Sequence, residues 1–593
     1  MAAMKRVSNL VEVLEQAVDQ FGDRNLFGTK TGGKYTWITY RQFGEMVAHA
    51  RGGLAQLGVV KGDRVAIIAN NRVEWAVTAY ATYGLGACLA PMYEKQHIDD
   101  WRYIVGDCGA KVLVVSTTAT ADKCRVLVDD CDELEHIIRL DGGDAEDGWG
   151  ALLARGAESP AAPFLPESSD LAGFIYTSGT TGQPKGVLLT HGNFAHNVNA
   201  IRELFPIEAG DTSLSFLPWA HSLGQTCELH CMLANGGAIG IAESVATILR
   251  NLTEVRPTLL FSVPRIFNKI YDGVNKKVDK EGGFKKWMFE RALENSGARR
   301  ELSERGGSSW WVDKKHGFFD QKIFSKIRES FGGRLRYAFS GGAALSPAVA
   351  TFIDNLGIMV YEGYGLSETS PVVCANAPGR RRIGSVGKPV PGCRVVIEPL
   401  PHILDPGVGE ILVYGPNVMR GYHNLPEETA AVFTEDGGFR TGDLGRLDKE
   451  GFLYITGRVK EQYKLENGKY VVPAPLEEQL KLSPYINQVM IYGENKPYNV
   501  ALIVPDEIAL VEWAGENGKS KDLSVLLEDP EVRKLMEGQV AEHGRAFKGY
   551  EHPRKFRLIA EEFSTENDML TPKMSLKRRN VMKVYGDLIA TLY

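Results

Sequence analysis

Only eight of 593 residues are cysteine, at positions 88, 108, 124, 131, 227, 231, 374 and 393, and no two stand in a CxxC pair. That scarcity excludes a zinc ribbon and a dense disulfide framework and fits a reducing, cytoplasmic compartment. Charge of one sign is also missing. The formal net charge is -6 with 24% charged residues, so wholesale nucleic-acid binding is not expected. No segment is low in complexity and no repeat of a few tens of residues is present. Residues 1 to 30 form an amphipathic pattern without the apolar run of a signal peptide, so secretion is not expected. One uncharged run is long enough to raise the question of a membrane span, Trp75 to Tyr93, and it holds three Tyr, two Thr, two Gly and a Pro. It reads as a helix packed on a sheet, followed after Gly86 by a buried strand, Ala87 to Pro91.

What the chain does have is the length for at least two domains. Short apolar runs (Val65 to Ala69, Val112 to Val115, Leu171 to Tyr176, Leu259 to Val263) alternate with helix-period stretches such as Ile98 to Val105 and Ala246 to Val255. That rhythm predicts an α/β fold with parallel strands. Near Gly387 the pattern shifts to shorter strands, Val395 to Ile397, Glu410 to Val413 and Phe452 to Ile455, broken by Pro and Gly. Beyond Gly457-Arg458-Val459-Lys460, strands at Gln488 to Tyr492 and Tyr498 to Val504 precede helices, so a compact α+β domain is expected from about residue 457. Residues 275 to 337 stand apart, with 16 Lys and Arg against 9 Asp and Glu, and with Trp287, Trp310 and Trp311 among them. A solvated helical face and a peripheral patch for anionic lipid are both open readings.

The strongest chemical signal is Tyr176-Thr-Ser-Gly-Thr-Thr-Gly-Gln-Pro-Lys-Gly186, between the apolar runs Leu171 to Ile175 and Val187 to Leu189. Glycines 179, 182 and 186 let backbone N–H groups approach a polyphosphate. Thr177, Ser178, Thr180 and Thr181 offer hydroxyls, and Lys185 adds a positive charge. It is not a Walker A loop, because Lys185 follows Pro184 and precedes Gly186. In Glu362-Gly-Tyr-Gly-Leu-Ser-Glu368, a glycine-flanked turn presents Tyr364, able to stack on a purine, and Glu368, a carboxylate suited to Mg²⁺.

This loop resembles the phosphate loop of the adenylate-forming superfamily of acyl-CoA synthetases, luciferases and peptide-synthetase adenylation domains. Five further segments match in the family's order: Ser340 to Leu345, Tyr361 to Thr369, Arg440 to Gly445, Gly457 to Lys460 and Leu570 to Lys577. The resemblance implies a large N-terminal AMP-binding domain (1-456) of two αβαβα-type sheets plus a distorted β-barrel. A hinge (457-460) and a small mobile α+β domain (461-593) would follow. It implies ATP, Mg²⁺ and coenzyme A as the small molecules. Thr177 and Glu368 correspond to the family's metal ligands, and Ser367 replaces the commoner Thr. Gly341, Gly342 and Ala343 would lie against the adenine, with Glu362, Gly363, Tyr364 and Gly365 beside it. Asp443 would take both ribose hydroxyls, a bidentate task for a carboxylate, with Ile455 and Arg458 at the same nucleotide.

Lys577 matches the lysine that reaches the α-phosphate, but Pro572 to Lys577 is one residue shorter than the usual spacing, so Lys573 and Arg578 compete for the role. Lys460 falls at the family hinge. Gly468, in Lys464 to Pro473, would let a pantetheine thiol pass, although this loop departs from the usual Gly-Glu-Asn-Ile pattern. Phe216 to His221 and Val263 to Tyr271 resemble long-chain fatty acyl-CoA synthetases, with His221 on the acyl or thiol path. A buried acyl tail would contribute roughly 0.8 kcal/mol per methylene. The expected activity is adenylation of a long-chain fatty acid followed by transfer to coenzyme A. A carrier-protein thiol as acceptor, and a nucleotide-binding regulator without turnover, remain open. Oligomeric state is not legible.

Overall fold

The computed structural model describes residues 5–178, 183–304, 306–401, 403, 405–571 and 575–593, with the side chains of Ser178, Ser303 and Glu304 left out. Gly179, Thr180, Thr181, Gly182 and Lys573, all singled out by the sequence, lie outside the described residues. Contacts divide the chain into two units. One comprises Met1–Phe267, Lys276–Val395 and Val413–Phe439; the other comprises Asn268–Asn275, Val396–Leu412 and Arg440–Tyr593.

The larger unit is built on a nine-stranded and a seven-stranded sheet. In the first, Thr212–Ser215, Leu259–Ser262, Tyr337–Ser340 and Met359–Gly365 run parallel as successive neighbours. In the second, Arg64–Ile68, Cys88–Met92, Val112–Val115 and His136–Arg139 do the same around the pairing of Arg64–Ile68 with both its neighbours. Strands such as Val112–Val115 and Leu259–Ser262 are buried throughout, which is why they read as unbroken apolar runs rather than alternating ones. The uncharged run at 75 to 93 resolves into the helix Val73–Tyr83 and the strand Cys88–Met92. Trp75, Tyr80 and Tyr83 are almost wholly buried, so protein and not lipid covers this segment. No helix among the described residues is long and apolar enough to cross a membrane.

Between the strand Thr212–Ser215 and its successor lies a wide-turned π-helix, Leu223–His230. Its Glu228 is fully buried and accepts hydrogen bonds from the Ser213 hydroxyl at 2.9 Å and the Ser215 hydroxyl at 2.6 Å. Burial pushes this carboxyl up to about 7. The two serines therefore moor the π-helix, and the His221 loop that leads into it, to an interior strand of the sheet.

Within the smaller unit the three-stranded sheet Ile486–Tyr492, Asn499–Pro505, Pro553–Leu558 has its middle strand buried on both faces. Ala501 and Ile503 pack with Leu476, Leu480, Val532 and Met536, whereas Val500, Leu502 and Val504 pack with Val581, Ile589 and Leu592. One strand of period two thus organises two small cores. The strands expected to form a distorted barrel, Arg394–Pro399, Gly409–Tyr414, Phe439–Leu447 and Leu453–Arg458, make an open four-stranded sheet, with no barrel closure among the described residues. They number too few to close around a core.

Candidate active site

Parallel strands that share a direction also share an edge where their carboxyl ends emerge, and ligands of open α/β sheets bind along that edge. Here the edge carries most of the residues singled out in the larger unit. Ser215 leads to His221; Ser340 leads to Gly341, Gly342 and Ala343; and the strand Met359–Gly365 ends in Glu362, Gly363, Tyr364 and Gly365, followed by the short turn of helix Ser367–Thr369. Gly342 adopts φ +81 and is exposed together with Ala343, while Gly341 is buried with its amide donating to Ser262 O at 3.3 Å. A Cβ at Gly365 would sit 1.7 Å from Pro371 O, so only glycine lets the chain turn there.

His221 accepts a hydrogen bond on Nδ1 from Leu223 N at 3.1 Å, which puts the proton of the neutral ring on Nε2. Its neighbour Ser222 donates to the Ser367 hydroxyl at 3.4 Å, tying the His221 loop to the Glu368 turn. Glu362 is buried, and burial pushes its carboxyl up to about 7 against the pull of the Leu345 and Gly384 amides. It braces the loop that follows Ser340.

The phosphate-loop candidate is the connection of a β-hairpin, Leu171–Ser178 with Pro184–Thr190, in which Thr177 lies opposite Lys185. Lys185 forms an ion pair with Glu428 and sits 5.1 Å over the ring of Tyr422. The Tyr422 hydroxyl donates to Glu368 Oε1 at 3.0 Å, and Met419 N donates to Glu368 O at 2.8 Å. Neither Tyr422 nor Glu428 was singled out by the sequence. The available signal was the Arg420-Gly-Tyr422 stretch, which carries no chemistry until the fold sets it beside the hairpin. A half-buried carboxylate with hydroxyls nearby is a hard oxygen set that suits Mg²⁺, and no cluster of three metal-ligating side chains occurs among the described residues.

In the smaller unit Asp443 and Arg458 face each other across adjacent antiparallel strands, and Arg458 Nε lies 3.0 Å from Asp443 Oδ1. Asp443 is buried, whereas the Arg458 side chain is about half exposed. Ile455 pairs with Gly445 one turn of the pleat away. Lys460 is exposed in the short 3₁₀ turn Val459–Glu461 that follows. Gly468, at φ +84, closes the tight turn between Tyr463–Lys464 and Tyr470–Val471.

Lys577 stands at the start of the helix Arg578–Ala590 and pairs with Asp568. Arg578, one of its competitors, is committed elsewhere. Its guanidinium pairs with the buried Glu477 and donates to Ile491 O at 3.2 Å, joining helix to sheet. Of the two lysines and one arginine considered, Arg578 is thus a structural brace.

A two-sheet α/β unit whose hairpin strands carry Thr177 and Lys185, joined in sequence to a small α+β unit, is an architecture suited to handling a nucleotide. The model of the AMP-binding enzyme family matches residues 14–423 and that of the AMP-binding enzyme C-terminal domain matches 460–593. The chain belongs to the AMP-binding enzyme family. The long-chain-fatty-acid–CoA ligase FadD15 of Mycobacterium bovis is 35% identical over 570 residues, covering 95% of this chain and 93% of its own. The peroxisomal long chain acyl-CoA synthetase 7 of Arabidopsis thaliana is 32% identical, covering 99% and 86% respectively. The adenylation domain of a carboxylate reductase from Mycobacterium chelonae superposes with a TM-score of 0.81 at 23% identity, over 99% of this chain and 91% of that one. At that identity it shows the shared fold.

Proposed function

We propose that the chain is an AMP-forming long-chain fatty acid–CoA ligase, using ATP with Mg²⁺ and coenzyme A. The observation that carries this reading is near full-length similarity to a long-chain-fatty-acid–CoA ligase at 35% identity. In the first step the fatty carboxylate attacks the α-phosphorus of ATP and pyrophosphate leaves. In the second, the coenzyme A thiol, giving up its proton, attacks the acyl carbon and AMP leaves. Magnesium, when bound, would neutralise charge on the phosphate oxygens.

The residues divide the work. Lys185 and the hairpin amides hold the β- and γ-phosphates, and Thr177 and Glu368 offer the metal its oxygens. Tyr364 and the backbone of Gly341 to Ala343 form the purine slot, and Asp443 with Arg458 takes the ribose. Lys577 meets the charge that builds on the α-phosphate. His221, its proton fixed on Nε2, lines the path of the acyl group. We also propose that Gly457 to Lys460 act as a hinge between domains 1-456 and 461-593, which lets one nucleotide site serve both steps, with Gly468 admitting the pantetheine arm.

Pyrophosphate and AMP release with Mg-ATP, across acids from acetate to oleate and with or without coenzyme A, tests this. Long acids plus coenzyme A give sustained AMP formation; AMP formation indifferent to coenzyme A would make a carrier-protein thiol the acceptor; silence throughout would leave a nucleotide-binding regulator.

A second reading concerns residues 275–337, which we assign to a lipid surface. The helix Trp310–Phe319 has no buried residue, and its Trp310, Trp311 and Phe318 are 62%, 66% and 52% exposed. Lys314 and Lys315 lie between them along the helix, and Phe284 and Trp287 are exposed on the helix Gly283–Glu304. Aromatics to enter the interface beside cations to meet headgroups are what a peripheral contact needs. The protein should co-sediment with vesicles containing phosphatidylglycerol, and the double variant W311A/F318A should lose most of that binding. Equal sedimentation of variant and parent would return this helix to an ordinary solvated face.

A further inference from the structure

Tyr422 lies where two parts of the nucleotide site meet. Its backbone is fixed from three sides. The short strand Gly421–Tyr422 pairs with the outgoing strand of the hairpin, Tyr422 opposite Val187; Arg420 N and His423 N donate to Leu188 O and Gly186 O at 3.0 and 2.8 Å; and Tyr422 N donates to the Thr429 hydroxyl at 2.9 Å. From this anchored position the ring lies beneath Lys185 and the hydroxyl reaches Glu368. The same stretch clasps the main chain of Glu368 through Met419 N.

A half-buried carboxylate with one oxygen unheld still explores several rotamers, and each one lost on metal binding has an entropic cost. Tyr422 removes part of that cost in advance by holding one Glu368 oxygen. On the other side, Glu428 supplies a counter-charge for Lys185. A phosphate must therefore exchange with the Glu428 carboxylate, while the cation–π contact to Tyr422 keeps the ammonium in place during the exchange.

We propose that Tyr422 is a positioning residue that couples the phosphate-loop lysine to the metal-binding carboxylate, and that Glu428 is the counter-ion Lys185 trades for ATP. The inference rests on the roles proposed for Lys185 and Glu368.

Its test separates the two arms of the tyrosine, with pyrophosphate release and, independently of turnover, calorimetric binding of a non-hydrolysable ATP analogue at varied Mg²⁺ as the two readouts. Tyr422→Phe keeps the ring and loses the hydroxyl. The half-saturating free Mg²⁺ should rise about tenfold, as expected for a lost hydrogen bond to a charged group, while KM for ATP at saturating Mg²⁺ stays within about twofold. Tyr422→Leu loses both arms and should raise KM for ATP as well. Glu428→Gln, with the competing anion gone, should lower KM for ATP several-fold. If Tyr422→Phe titrates with Mg²⁺ as the parent does while Glu368→Gln weakens the Mg²⁺ response, the inference is wrong and the ligase reading stands. If Glu368→Gln leaves the Mg²⁺ response unchanged, the metal assignment fails and Tyr422 loses its role with it.

Discussion

Lys577→Ala slows acyl-adenylate formation by roughly 10²-fold or more, about 2.7 kcal/mol of transition-state stabilisation, and leaves ATP binding largely intact. The reason is where charge develops. As the carboxylate attacks, negative charge concentrates on the α-phosphoryl oxygens, and an ammonium group there is worth far more in the transition state than in the bound ground state. The substitution is structurally mild. Lys577 pairs with Asp568, but the Asp568 side chain is well exposed and that of Lys577 about one-third exposed, and the Asn580 amide also donates to Asp568 Oδ2 at 2.8 Å. An exposed pair of this kind contributes little to stability. Thioester formation from preformed acyl-AMP lacks the attack on phosphorus and should suffer far less. The two half-reactions are measured separately, by pyrophosphate release and by acyl-CoA formation from supplied acyl-AMP. Equal losses in both would remove Lys577 from the adenylating step.

Lys577 also shows how far the sequence could be read. Spacing alone left Arg578 as a competitor, because two adjacent cations in a basic run are indistinguishable until their partners are known. The partner of Arg578 is Glu477, 101 positions away, and only the packing of the last helix on the sheet brings them together. Tyr422 and Glu368 are likewise 54 positions apart. Contacts at such separations leave no periodic trace.

Elements whose environment is uniform were legible. Val112 to Val115 is apolar because both its faces are covered, and Val500 to Pro505 is apolar for the same reason. The uncharged run at 75 to 93 divided where Gly86, at φ +68, allows the turn into the strand Cys88–Met92. The barrel was not legible, since short strands separated by Pro and Gly look alike whether they close or remain an open sheet. Gly342, Gly365 and Gly468 were readable because a positive φ or a close backbone approach favours glycine there, whereas the supporting Glu228, Tyr422 and Glu428 are of types that most often have ordinary structural roles.

The second large effect belongs to Asp443. Asp443→Ala should raise KM for ATP by roughly 10²-fold, since hydrogen bonds from two ribose hydroxyls to a charged acceptor are worth about 1.5–3 kcal/mol each, part of which water recovers. Burial makes the carboxylate effective: at 5% exposure it is shielded from competing water, and its Oδ1 is held 3.0 Å from Arg458 Nε. Loss of affinity alone would not separate a ribose contact from a general loosening of the strands. The substrate provides the second cut. The parent enzyme should discriminate against 2′-deoxy-ATP because one hydroxyl is gone, and the alanine variant, lacking the acceptor, should treat ATP and 2′-deoxy-ATP within about threefold of each other. The Arg458 side chain is half exposed and can be hydrated when its partner is removed, so the fold should persist and thermal melting should shift little. The measurement is kcat/KM for the two nucleotides in parent and variant. A penalty against 2′-deoxy-ATP of the same size in both would mean that the ribose is held elsewhere and that Asp443 serves chiefly to orient Arg458.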